Sequence, residues 1–142
     1  AWEIAMAGGY QTAGERALRK GEPPGAGGGW LNGRGDATMK LFHGMKPMVD
    51  FFTRFEWWKL EPAEELASPG SKQVLAEPGR RIVVRLAGGG AVRVDTKGVV
   101  YQASWYDPRT GTVTAIGATS GAVWAAPQAP SKDDWILWLE RR

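Results

Sequence analysis

The spacing of the apolar residues changes once along this chain, at Trp57-Trp58-Lys59-Leu60-Glu61-Pro62, and that change does most to limit the fold. Beyond it, apolar and polar residues alternate in short runs, the period of a half-buried strand. The runs lie at 73–76, 81–86, 91–95, 99–106, 112–116, 122–125 and 135–139. Gly88-Gly89-Gly90 reads as a hairpin turn between the second and third. Asp107-Pro108-Arg109-Thr110-Gly111 is a turn signature, in which Asp caps, Pro presets φ and Gly accepts a positive φ. Seven short strands with regular turns predict an antiparallel β-sandwich or barrel-like pair of sheets over residues 59–142. The 20 glycines suit such turns.

Before the boundary the period is helical. Residues 2–6 read as the end of a helix stopped by Gly8-Gly9. Residues 10–12 suit a short strand or extended loop, and 15–20 one or two helical turns. Pro23-Pro24 and the surrounding glycines rule out a regular element there. Asp36 is placed to cap a helix over 37–43, because its carboxylate can accept first-turn amides. Gly44 and Pro47 then predict a break, since proline is costly inside a helix. A second helix is expected over 47–55, with Met48, Phe51, Phe52 and Phe55 on one face. A stripe of this kind is core. The chain therefore divides into a helical, Gly-rich segment at 1–58 and a β module at 59–142, and is mainly β overall.

Charge and composition exclude several classes. The net charge of +3 is small, and basic residues alternate with acidic ones, as in Glu15-Arg16 and Glu140-Arg141. No basic stripe tracks a phosphate backbone, so nucleic acid is not an expected partner. No apolar run reaches the length of a membrane span. With no cysteine, disulfides and thiolate metal sites are out. The chain opens on Ala1-Trp2-Glu3-Ile4-Ala5-Met6, which reads like the middle of a helix, so a processed product or fragment is expected. Eight tryptophans stand out. Packing is the plain reading of each, and stacking on sugar rings the functional one.

Catalytic sets are missing. His43 is the sole histidine and forms neither a metal site nor a triad by itself. No nucleophile elbow, P-loop or dinucleotide fingerprint occurs. Glycosidases use two facing carboxylates. Glu64-Glu65 and Asp133-Asp134 are sequence neighbours, which on an extended chain point to opposite faces. Glu15, in a polar loop, is a solvated charge in the plain reading. Arg34-Gly35-Asp36 spells an adhesion tripeptide, a pattern that arises readily by chance. No catalytic residue, metal or cofactor is assigned.

Three stretches carry a family resemblance: Ala1-Trp2-Glu3-Ile4-Ala5-Met6-Ala7-Gly8-Gly9-Tyr10-Gln11-Thr12, the loop Gly27-Gly28-Gly29-Trp30-Leu31-Asn32-Gly33, and Phe51-Phe52 with Trp57-Trp58-Lys59-Leu60-Glu61-Pro62. Together they resemble the last part of an apiosidase-like glycoside hydrolase barrel. Arg81-Ile82-Val83-Val84, Trp105-Tyr106-Asp107-Pro108-Arg109-Thr110-Gly111 and Asp134-Trp135-Ile136-Leu137 are similar to the collagen-binding-type module that follows that barrel. The resemblance implies a (β/α)₈ barrel with paired carboxylates at its strand ends. It places those carboxylates on earlier strands, which this chain does not contain. Residues 2–6 would end the seventh helix, and 8–12 would lie at the eighth strand and its loop. On the rim of such a site, Tyr10, Gln11, Glu15, Trp30 and Asn32 are the candidate substrate-binding residues. Trp30 would stack on a sugar, and Gln11 and Asn32 would hydrogen-bond hydroxyls. The resemblance also implies a secreted or periplasmic parent.

Three functions follow. In the first, the chain is a non-catalytic accessory portion of a glycoside hydrolase, packed on the barrel through Trp57-Trp58 and holding carbohydrate. In the second, it contributes active-site rim residues to a working glycosidase. In the third, it is a free-standing carbohydrate- or protein-binding module with Trp105, Tyr106 and Trp124 as exposed stacking residues. Without the rest of a barrel, Met39, Phe42, Met48, Phe51 and Phe52 must be covered by the β module or by self-association.

Overall fold

The computed structural model describes residues 1–9, 20–21, 40–69 and 73–141, with 40–43 as backbone only. In chain order the elements are α1 (Trp2–Met6), α2 (Lys40–Phe52) and a 3₁₀ turn at Trp57–Lys59, then β1 (Glu61–Pro62). A second 3₁₀ turn at Glu64–Leu66 precedes β2 (Ala67–Ser68). The longer strands β3 (Gln73–Glu77) and β4 (Arg81–Leu86) lead to β5 (Arg93–Asp95), β6 (Gln102–Tyr106) and β7 (Val113–Ala118). The last two are β8 (Val123–Ala125) and β9 (Trp135–Glu140). All seven strands expected from alternation form. The additional pair, β1 and β2, is too short to carry a periodic signal.

The strands make two antiparallel sheets, one of six in the order β1-β3-β4-β9-β6-β7 and one of three in the order β2-β5-β8. A β-sandwich is therefore present. Ile82, Val84 and Leu86 from β4, with Trp135, Leu137 and Leu139 from β9, face the smaller sheet, where Val94 and Trp124 meet them. The other face of the large sheet is covered too. Leu75, Val83, Ile136 and Tyr106 pack there against Met6, Phe51 and Leu60 of the helical side. Two covered faces explain why β4 and β9 read as almost continuous apolar runs rather than as clean alternation.

Gly88-Gly89-Gly90 does not make the expected hairpin. β4 and β5 belong to different sheets, so the three glycines carry the chain from one sheet to the other. All three have positive φ. At Gly89 an added Cβ would stand 2.1 Å from the Ser131 carbonyl oxygen, so only a hydrogen fits at this crossing.

The expected break at Gly44 and Pro47 is absent, and α2 runs unbroken from Lys40 to Phe52 with Pro47 inside. An interior proline costs about 3 kcal/mol in an isolated helix. Packing offsets that cost. Pro47 and Met48 are buried, the Pro47 carbonyl accepts the Tyr106 hydroxyl at 2.5 Å, and Phe51 sinks into the interface. Phe51 alone, fully buried, contributes about 1.5–3 kcal/mol of apolar burial. Its ring centroid lies 4.8 Å from that of Tyr106 and 5.3 Å from those of Phe52 and Phe55. Phe52 and Phe55 are half-buried, as their place on the stripe requires. The large sheet thus covers the helical stripe at Phe51, which meets Tyr106 and Trp138, and at Phe55, which lies under Arg81 and beside Trp138. Asp36 and Met39 lie outside the described residues, as does the side chain of Phe42.

Candidate functional site

The rim residues Tyr10, Gln11, Glu15, Trp30 and Asn32 lie outside the described residues, as does Arg34-Gly35-Asp36. Trp105, Tyr106 and Trp124 are described, and they correct the expectation of an exposed aromatic row. All three are buried. Trp105 packs edge-on to Trp135 inside the sandwich, at 6.3 Å between centroids. Tyr106 is sealed under α2, where burial pushes its phenol pKa up and keeps it a hydrogen-bond donor. Alternation identified the strand but could not tell which of its faces is covered.

Among the described residues, the exposed aromatics are Trp57 and Trp58 in the first 3₁₀ turn, 37% and 60% exposed, with centroids 6.0 Å apart and planes at 82°. They border a groove of about 480 Å³, enclosed by the end of α1, one side of α2, this turn and β1. Phe52 and Leu60 line its apolar wall, and Thr53 and Glu61 supply its polar groups. The Thr53 hydroxyl donates to the Val49 carbonyl at 2.8 Å, so its oxygen retains accepting capacity. Gly8, at φ +74°, lets α1 end against β1, because a Cβ there would stand 3.3 Å from Pro62 Cγ. Val49, on the groove lining, is also exposed. The doublet was legible in the sequence as a boundary. Its place on a groove depends on α1 and α2, which the sequence does not position.

Many of the described carboxylates are held by partners. Arg81, only 4% exposed, donates Nε to Glu140 at 2.5 Å and Nη2 to the same carboxylate. Its Nη1 reaches Glu77 at 3.1 Å, and its guanidinium lies 4.2 Å over the Phe55 ring centroid. Arg85 binds Asp134 at 2.6 Å. Burial raises the Asp134 pKa, but the Gly88 amide and Arg85 together outweigh it, and the net direction is down. Arg109 forks onto Asp107 at 2.8 and 2.9 Å, reaches Asp133, and covers Trp135. The Arg109 hydrogen bonds hold Asp107 below the usual carboxylate range. The Ser131 hydroxyl and then Arg109 do the same for Asp133. So Asp133 and Asp134 diverge, as neighbours on an extended chain should. Among the described residues, no group of three or more His, Asp or Glu is placed to hold a metal ion.

Residues 64–140 match the family described as "putative collagen-binding domain of a collagenase". The chain belongs to this family. Its collagen-binding-type region begins in the second 3₁₀ turn and runs to the end of β9, so most of the Trp57-Trp58 groove lies before it. Solved structures share the fold. One described as a glycoside hydrolase matches with a TM-score of 0.62 at 19% identity, covering 84% of this chain and 30% of that one. A glycoside hydrolase family 5 protein from Bacteroides vulgatus ATCC 8482 matches with a TM-score of 0.61 at 18% identity, covering 70% and 24%. The 84% cover exceeds what the β region supplies, so the shared fold reaches into the helical side. The chain spans less than a third of the length of either solved structure. No curated protein matches it.

Proposed function

We propose that this chain is a non-catalytic accessory portion of a glycoside hydrolase, one that supports the barrel and helps to hold the carbohydrate. The observation that carries this reading is the state of the carboxylates. A glycosidase needs one carboxylic acid whose pKa is raised, so that it is protonated near neutrality, and a second facing it. Every described carboxylate with a displaced pKa is displaced downward: Glu56, Asp95, Asp107, Asp133 and Asp134. Hydrogen bonds from Lys59, Lys97, Arg109 and Ser131 are the chief cause for the first four, in that order. These groups are built as ion-pair partners that tie turns and strands, not as proton donors. Membership of the collagen-binding-type family and the fold shared with glycoside hydrolases add support from outside the site.

The test has two arms. The purified chain is assayed against a panel of aryl glycosides, and no release above the buffer rate is expected. Turnover abolished by changing one of its carboxylates would overturn the non-catalytic part. The chain is also sedimented with insoluble plant and bacterial polysaccharides, and retention on at least one is expected. Recovery entirely in the supernatant for all of them would overturn the carbohydrate-holding part.

A further inference from the structure

We infer that the groove beside Trp57 and Trp58 is a saccharide subsite for a neutral, pyranose-containing chain, with Trp58 as its stacking platform. The inference rests on the accessory reading above, with Trp58 open to carbohydrate rather than packed on the barrel, and gives it a location. Four observations carry it. The groove, at about 480 Å³, falls within the ~300–1,000 Å³ range of small-molecule sites and is mostly apolar with a few polar groups. Trp58 leaves 60% of its surface in solvent, whereas Trp105, Trp124 and Trp135 are used in the core. An exposed indole presents the flat, electron-rich face that suits the axial C–H groups of a pyranose. Charge narrows the ligand class. Among the described residues, Glu61 is the only charged residue on the lining, and its carboxylate accepts from sugar hydroxyls while repelling uronate or sulfate. The Thr53 hydroxyl oxygen, its hydrogen already committed to Val49, faces the same ligand as an acceptor.

The placement is also separate from the ion-pair network. Arg81, Arg85 and Arg109, which tie the sheet together, do not line the groove. A saccharide can therefore enter without opening any of these three arginine ion pairs.

The experiment titrates the whole chain with neutral hexasaccharides of glucose, xylose, mannose and galactose, and with a galacturonate hexasaccharide as the charged control. Tryptophan emission and calorimetry are the readouts, and light scattering reports the oligomeric state. At least one neutral hexasaccharide is expected to bind and shift the emission, with the galacturonate chain binding more weakly. Trp58→Ala is expected to weaken binding by on the order of tenfold, Trp58→Phe by less, with the melting temperature unchanged. Glu61→Gln should narrow the gap between neutral and charged chains. Binding that survives Trp58→Ala at full strength would overturn this location while leaving the accessory reading standing. Absence of binding to every neutral hexasaccharide would overturn the subsite, and polysaccharide sedimentation would then decide the wider reading separately. A change of oligomeric state on Trp58→Ala, with no change in saccharide affinity, would make the face a contact between copies of the chain and also overturn the subsite.

Discussion

Tyr106 on β6 donates its hydroxyl hydrogen to the carbonyl of Pro47 inside α2, at 2.5 Å, and so joins the helical layer to the large sheet. The bond spans 59 residues of sequence and is buried. It holds the helix at the residue where an isolated helix would break.

Tyr106→Phe keeps the ring and removes this bond. The buried Pro47 carbonyl then loses its sheet partner, and the expected cost is about 1–2 kcal/mol. Urea denaturation should show a lower midpoint with little change in slope. An unchanged midpoint would mean that ring packing alone fixes α2.

Arg81 neutralises two carboxylates and covers Phe55. Arg81→Met leaves Glu77 and Glu140 facing each other across β4. Because Glu140 is partly exposed, water absorbs part of the loss, and about 2 kcal/mol is expected. Arg81→Lys should recover only part of it, since a single ammonium cannot fork onto Glu140 while reaching Glu77. Equal stability of the Lys variant and the parent in thermal melts would contradict this geometry.

The three glycines at the sheet crossing should differ. Each has positive φ, so alanine costs about 1 kcal/mol at any of them. Gly88 meets only the Lys132 carbonyl oxygen, at 3.9 Å, and Gly90 nothing within 4 Å, whereas Gly89 would drive a Cβ into the Ser131 backbone. Gly89→Ala is therefore expected to be the most destabilising of the three by at least about 1–2 kcal/mol. Three parallel melts decide it.

Acid should destabilise the chain through Asp107 and Asp134. Both have folded pKa values below the ordinary carboxylate value. A depressed folded pKa contributes stability that is present above the unfolded value, near 4, and is lost as the pH falls through the folded one. Urea midpoints should hold level from about pH 5 to 7 and decline below about pH 4. Asp107→Asn and Asp134→Asn should each lower the plateau and flatten the decline. A decline unaltered in both variants would place the acid-sensitive groups elsewhere.

The β half was legible because its residues carry local signals. Ile82-Val83-Val84 and Trp135-Ile136-Leu137 announce strands by composition. Asp107 to Gly111 announces its turn through groups that do form it: the Asp107 carboxylate takes the Arg109 amide at 2.8 Å, and Gly111 adopts φ +79°. The candidate site was not legible in the same way. Trp57-Trp58 marked a change of period, but exposure is a property of what packs nearby. Trp105 and Trp124, equally attractive in sequence, were taken by the core.

Sequence alone determined the strands, their turns and the apolar stripe of α2, since periods of 2 and 3.6 are local consequences of backbone geometry. It also determined that no cysteine or histidine cluster is available. Tertiary structure decided which strands share a sheet, that Gly88 to Gly90 cross between sheets, and that Pro47 stays within a helix. It also left Trp58 in solvent beside a groove. Each of those outcomes depends on contacts between residues far apart in the chain. There, burial worth several kcal/mol outweighs local preferences of a few.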